Sequence, residues 1–314
     1  MQLTIFDVSN TLDTTGLVIR DAYKKPFQIL SSLNQELLKT NHLVENINAF
    51  TWLNRPLRTA KIYSGDELFR QIFTRALLFG KVSTDFKVLA SLPTEEAKSK
   101  VLDLYGQKDL DSVEEAVEEF NSSKSANKPK LKQGAIEAIQ EAKKRGDVTV
   151  VSMEEPDIVK GYIENHKLPV DFSRSVFGRV VGTTDKSVLF SKIVEDTNYF
   201  GGKKYERINF VDDMLEELAK SVFLDSKFPV KRVYTPLEYD VVLRLEEKAL
   251  KAGIQFTEED KQKLKSGINA SGLSQKVAEL ANQLKEDIKK QVHGATYKLS
   301  DLPQILDGKD VFNI

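Results

Sequence analysis

Leu3-Thr4-Ile5-Phe6-Asp7-Val8-Ser9-Asn10-Thr11-Leu12 is a short apolar run that ends in a carboxylate and then breaks into small polar residues. A run of this kind reads as a strand buried on both faces, and in an open α/β sheet such a strand delivers its last residues to the edge where ligands bind. Three later stretches look built to meet Asp7 there: Val148-Thr149-Val150-Val151-Ser152, the region around Lys186, and Asn209-Phe210-Val211-Asp212-Asp213. The order is strand, hydroxyl, lysine and paired carboxylates. It predicts a parallel sheet with Asp7 central, flanked by the strands ending at Ser152 and Asp212, because a shared site requires adjacent strand ends.

Outward from that run, Asp13-Thr14-Thr15-Gly16 is turn chemistry, and apolar residues then recur at helical spacing from near Leu17 to Leu37, with a kink or break at Pro26. Ser64 and Glu67 carry the spacing of a capping box ahead of Leu68, Ile72, Ala76 and Phe79. Pro93-Thr94-Glu95-Glu96 starts a helix to about Tyr105, Asp111 to Phe120 gives a short acidic one, and Asn121 to Pro129 is polar enough for a linker or mobile loop. From Leu131 the chain alternates: helix to Lys144, strand Val148–Val151, helix Asp157–Asn165, extended Ser175–Val181, helix Ser187–Asp196, strand Ile208–Val211, helix Leu215–Val222, strand Lys231–Tyr234. That alternation is the beat of a parallel α/β sheet. Beyond Pro236 the pattern is helical almost to the end, and Val277, Leu280, Leu284 and Ile288 share one face of the last long helix.

The expected organisation is therefore a three-layer, Rossmann-like α/β core from residues 1–15 and 131–240, a helical insert from 16–130 and a helical C-terminal extension from 241–314. An insert at that point of the chain makes a cap over the strand ends, where it could exclude water and select substrate. The extension packs on the core or cap, or serves a homodimer or another protein partner.

A chain of 314 residues can bury a sizeable core. Its 46 basic and 47 acidic residues argue against nucleic acid, whose footprint is a basic excess. The absence of cysteine excludes disulfides, thiolate metal sites and cysteine nucleophiles. No stretch approaches the ~20 apolar residues that cross a bilayer, and no charged leader precedes an apolar run, so no membrane association and a cytoplasmic location are expected. His42, His166 and His293 are scattered without ligand spacing.

Phosphoryl transfer through a carboxylate needs a nucleophile, a cation and donors around the phosphate oxygens. Asp7 and the amides that turn after it suit the first and part of the last. Asp212 and Asp213 would bring two more charges, and three carboxylates share a small site only with a cation, for which Mg²⁺ is the natural choice. Each residue has a plainer use. Asp212-Asp213 also suits a helix start, Ser152 a cap or turn, Lys186 a solvated surface and Thr11 a stabilised loop.

Asp7, Ser152, Lys186 and Asp212-Asp213, in this order at strand ends, resemble the four motifs of the haloacid dehalogenase-like (HAD) superfamily of phosphohydrolases and phosphotransferases. The resemblance covers the core segments, about half the chain. It implies that Asp7 is the nucleophile, that Ser152 and Lys186 hold the phosphoryl oxygens, and that Thr11 steadies the loop. It further implies Mg²⁺ held by Asp7, the main-chain carbonyl of Ser9, Asp212 and Asp213, with a small phosphorylated molecule as substrate. Trp52, Arg55, Arg58, Tyr63 and Arg70 are compositional candidates for substrate selection.

Ser9 departs from the pattern, since the family's phosphatases place a second Asp there as general acid and base. Members with another residue at that place include ion-pumping ATPases and the metal-free 2-haloacid dehalogenases. The resemblance thus implies a Mg²⁺-dependent phosphohydrolase or phosphotransferase of low activity, a dehalogenase-like hydrolase, or an inactive descendant that acts as a binding or scaffold protein.

Overall fold

Phe6, the last residue of strand β1 (Gln2–Phe6), lies opposite Val150 of β2 (Gly146–Ser152) on one side and Val211 of β4 (Arg207–Asp212) on the other, both in parallel pairing. β3 (Val176–Phe177) adds to β2, and β5 (Val230–Tyr234), β6 (Gly294–Thr296) and β7 (Phe312–Asn313) add in turn to β4. The result is a seven-stranded parallel sheet in the order β3-β2-β1-β4-β5-β6-β7. Asp7, one residue past β1, thus stands between the ends of β2 and β4. This computed structural model describes residues 1–40, 50, 53–54, 57, 65–153, 156–183, 185–195 and 205–314.

Burial on both faces explains why its strands read as mostly apolar runs. Phe6, Val148, Val150, Val211 and Val233 face one layer. There they meet Ala138, Ile139 and Ala142 of a helix at Ala135–Arg145, and Val159 and Ile163 of one at Pro156–Asn165. The intervening residues face the other layer, where the ring of Phe210 lies 4.3 Å from that of Phe190 in the helix Lys186–Glu195. With helices on both faces the strands are mostly apolar, and the polar exceptions are bonded, as Asn209 is to Thr4 across β4 and β1 at 3.1 Å.

Residues 17–128 form a second compact unit, separate from the unit made by 1–16 and 129–314. In chain order its helices are α1 (Thr15–Ala22, which begins in the first unit), α2 (Lys24–Leu33), α3 (Asp66–Leu77), α4 (Phe86–Ser91), α5 (Thr94–Tyr105) and α6 (Gln107–Ala126). The break expected at Pro26 falls at Tyr23. Pro26 sits in the first turn of α2, where its missing N–H has no helical acceptor to lose. Of the expected capping box, Ser64 lies outside the described residues, and Glu67 accepts from Arg70 and Gln71 instead.

The linker expected at 121–129 is corrected by α6, which runs on to Ala126. Val113, Ala116, Val117 and Phe120 bury one face of this helix, and Asn121 donates to Asp66 at 3.0 Å, so its polar last turns extend an anchored helix. Phe120 closes an aromatic cluster with Tyr23, Phe69 and Phe73, whose ring centroids lie 3.9–6.2 Å from its own.

The remaining helices belong to the sheet unit: α7 (Ala135–Arg145), α8 (Pro156–Asn165), α9 (Gly178–Val181), α10 (Lys186–Glu195), α11 (Leu215–Ala219), α12 (Glu238–Lys251), α13 (Glu258–Leu264), α14 (Gln275–Lys289) and α15 (Leu302–Leu306). The extended segment expected at Ser175–Val181 is a two-residue strand followed by α9. The C-terminal extension departs further from expectation, because besides α13 to α15 it supplies β6 and β7 to the sheet edge. The apolar face of α14, with Val277, Leu280, Ala281, Leu284 and Ile288, is buried within the chain. Among the described residues no helix is long and apolar enough to cross a membrane.

Candidate active site

The loop after β1 is wound by its own side chains. Asn10 takes a left-handed conformation, φ 64°, which its short polar side chain tolerates, and its side-chain Oδ1 accepts from the Gly16 amide. Asp13 accepts from the amides of Asn10 at 2.8 Å and Thr15 at 3.0 Å, and Leu12 N–H returns to Val8 at 2.9 Å. The turn therefore holds Asp7, Ser9 and Thr11 at the strand end as one tight unit.

Asp7 N–H donates to Val211 at 3.0 Å, which continues the β1–β4 ladder by one step and brings Asp7 level with Asp212. Oxygens of Asp7, Asp212 and Asp213 lie within 4.8 Å of one another. Lys186, the first residue of α10 and 5 % exposed, donates to Asp7 at 2.9 Å and to Asp212 at 2.6 Å. Asp212 also accepts from Met214 N–H at 2.9 Å, so the helix-start use weighed for the acidic pair is realised alongside its place in the cluster. Thr11 donates its hydroxyl to Asp213 at 3.3 Å, which makes it a tie between the β1 loop and the β4 end.

Ser152 is buried at the end of β2, paired with Phe177 of β3 and two residues beyond the position opposite Phe6. Ser9 is half-buried in the β1 turn. Trp52, Arg55, Arg58 and Tyr63 lie outside the described residues. Arg70 is taken up by carboxylates, donating to Glu114 at 2.6 and 2.9 Å and to Glu67 at 2.5 Å.

The electrostatics follow from burying these charges together. Burial raises the Asp7 carboxyl to about 7, against the pull of the Lys186 ammonium and with the charge of Asp212 adding to the rise. Burial likewise holds Asp213 well above the usual carboxylate range, and Asp212 and Asp7 push it the same way. Burial opposes the charge on Lys186, but Asp212 and Asp7 outweigh it and hold the ammonium protonated beyond its ordinary range. Three carboxylate oxygens converging on one point, one of them short of compensating charge, make a donor set of hard oxygens that fits a divalent ion such as Mg²⁺.

A stability prediction follows. A carboxyl raised on folding binds its proton in the folded state while the unfolded chain has lost it. Stability therefore falls as pH rises from the ordinary carboxylate value, 3.8, through about 7. Thermal unfolding in chelator should show a lower melting temperature at pH 8 than at pH 5, and added Mg²⁺ should recover more of it at pH 8.

One residue of this neighbourhood escaped the sequence reading. Lys132, 6 % exposed, donates to the main-chain carbonyls of Thr235 and of Pro236, the latter at 3.2 Å. Burial lowers its ammonium to about 8, against the attraction of Asp213, Asp240, Asp13 and Asp212. It follows Lys128, Lys130 and a proline in a polar run, and no local signal separates it from its neighbours.

No family model matches the chain, and no curated protein matches it. Solved structures similar to it include the L-2-haloacid dehalogenase of Xanthobacter autotrophicus, at 13 % identity and TM-score 0.44 over 98 % of both chains. A haloacid dehalogenase-like family hydrolase of Xanthomonas campestris has 15 % identity and TM-score 0.44 over 75 % of this chain and 82 % of its own. A predicted phosphoglycolate phosphatase of Haemophilus somnus has 12 % identity and TM-score 0.39 over 74 % and 84 %. These are HAD-superfamily hydrolases. Likeness at this level carries no argument about chemistry, for which the strand order and the geometry at Asp7 are the grounds.

Proposed function

We propose that the protein is a HAD-like hydrolase that transfers the phosphoryl group of a small phosphorylated molecule to Asp7 and then to water, with Mg²⁺ as cofactor. The observation that carries the reading is the convergence of Asp7, Asp212 and Asp213 within 4.8 Å, with Lys186 bonded to two of them. Asp7 attacks phosphorus as its P–O ester bond breaks, Ser152 and Lys186 hold the equatorial oxygens, and a water then attacks the aspartyl-phosphate to release phosphate. Asp7, the Ser9 carbonyl, Asp212 and Asp213 would hold the metal, which when bound supplies charge neutralisation for the phosphoryl oxygens.

Ser9 sets the rate. Its hydroxyl replaces the carboxyl that would protonate a leaving group and later deprotonate water, so substrates with good leaving groups are favoured. Ser9→Asp should accelerate phosphate release from an aryl phosphate by up to about 10² to 10⁴, and only with Mg²⁺ present because it adds a fourth carboxylate. Phosphate release measured with and without Mg²⁺ tests the proposal; no turnover in either protein would contradict it.

The direct bond from Lys186 to Asp7 favours a second reading, a metal-free 2-haloacid dehalogenase-like reaction in which Asp7 attacks carbon and halide leaves. Halide release from 2-chloropropionate in chelator would select this reading over the first.

A further inference from the structure

Lys132 ties the β1 loop to the β5 end, and Thr235 carries that tie on to the end of β4. Its amide donates to Leu12 in the β1 loop at 2.9 Å, and its ammonium donates to the carbonyls of Thr235 and Pro236 just past β5. Thr235 N–H in turn donates to the Asp212 carbonyl at 2.9 Å. Both carbonyl acceptors are neutral, so the ammonium is tied to main chain, and among the described residues no carboxylate bonds it directly. The carboxylate that acts on it most strongly is Asp213, followed by Asp240, Asp13 and Asp212. Two buried ammonium groups thus act on the cluster of Asp7, Asp212 and Asp213: Lys186 in direct contact, and Lys132, held on the carbonyls of Pro236 and of Thr235, the residue bonded to Asp212, and attracted by Asp213 and Asp212.

We propose that Lys132 is a built-in counter-cation of the acidic centre, a positioning residue that pins the β1, β4 and β5 ends together and limits how tightly the site holds a divalent ion. The inference rests on the metal-binding reading above. A fixed positive charge offsets part of the carboxylate field and repels an incoming cation, and inside a protein both effects are little screened. The consequence is a site that stays folded without metal yet exchanges it readily. No part of this role requires Lys132 to touch substrate.

The sign of the effect separates charge from scaffolding. Lys132→Gln keeps an N–H donor for the Thr235 and Pro236 carbonyls but removes the charge, and Lys132→Arg keeps the charge. Isothermal titration of the full-length, chelator-stripped proteins with MgCl₂ at neutral pH should give roughly tenfold or greater tighter binding for Lys132→Gln. Lys132→Arg should bind no tighter than wild type. A purely structural tie would loosen Asp212 and weaken binding in Lys132→Gln, and unchanged or weaker binding there overturns the inference. Should Lys132→Gln fail to fold, Lys132→Met takes its place with the same required sign. Binding by the uncharged variant with none by wild type would remove the metal from the native function and leave the inference standing; binding by neither would remove both.

Discussion

Asp7→Asn is expected to lower turnover by on the order of 10⁴ to 10⁶ while leaving the protein folded. The amide matches the carboxylate in size and retains an acceptor for Lys186, so the hydrogen bond at 2.9 Å has a replacement. It removes one of three buried charges that oppose each other, and the raised Asp7 carboxyl marks the cost of keeping that charge. The metal-free variant should therefore melt no lower than wild type at pH 8, and its melting temperature should depend less on pH between 5 and 8. Steady-state phosphate release with thermal unfolding of the same samples checks both parts. Turnover persisting in Asp7→Asn would move the nucleophile elsewhere.

Lys186→Met should produce the largest loss of stability. The ammonium is buried between Asp7 and Asp212, and taking away one side of a buried ion pair leaves uncompensated charge, at a cost of about 3–5 kcal/mol. In a unit of this size that corresponds to a fall in melting temperature of roughly 10 °C. The penalty should shrink at low pH, where the raised carboxyls of Asp7 and Asp213 take up protons, and Mg²⁺ should recover part of it by replacing the missing cation. A loss equal at pH 5 and pH 8 and indifferent to Mg²⁺ would show that Lys186 acts through packing alone.

The residues legible in the sequence were those attached to a buried strand. Asp7, Ser152 and Asp212 each end a short, mostly apolar run rich in β-branched and aromatic residues, which reads as a strand covered on both faces. Lys186 was legible by its place between two of those strands, and it opens α10 where the chain turns toward the site. What escaped had no periodicity to show. β6 is Gly294-Ala295-Thr296, three small residues whose strand conformation comes from pairing with β5 and β7 and not from their own preference. The polar end of α6 reads as a linker because its anchors, Phe120 among the aromatic rings and Asn121 on Asp66, are tertiary contacts.

Lys132 is the clearest case of function hidden from local sequence. It is one of 46 basic residues, and its burial depends on the β1 loop and the β5 end arriving at the same point. Ser9 is the reverse case: it is plain in the sequence, and the turn around it is held by Asn10, Asp13 and Gly16.

The central claim is that Asp7 accepts a phosphoryl group, and under the proposed reading Ser9 offers no carboxylate base to clear the intermediate. Acetyl phosphate needs little protonation to leave, so wild-type protein incubated with it and Mg²⁺ should accumulate a covalent adduct of one phosphoryl group in the intact-protein mass. The adduct should map to Asp7, be absent from Asp7→Asn, and decay faster in Ser9→Asp. Wild-type protein that acquires no phosphoryl group under these conditions, with no gain of hydrolysis in Ser9→Asp, would contradict the account.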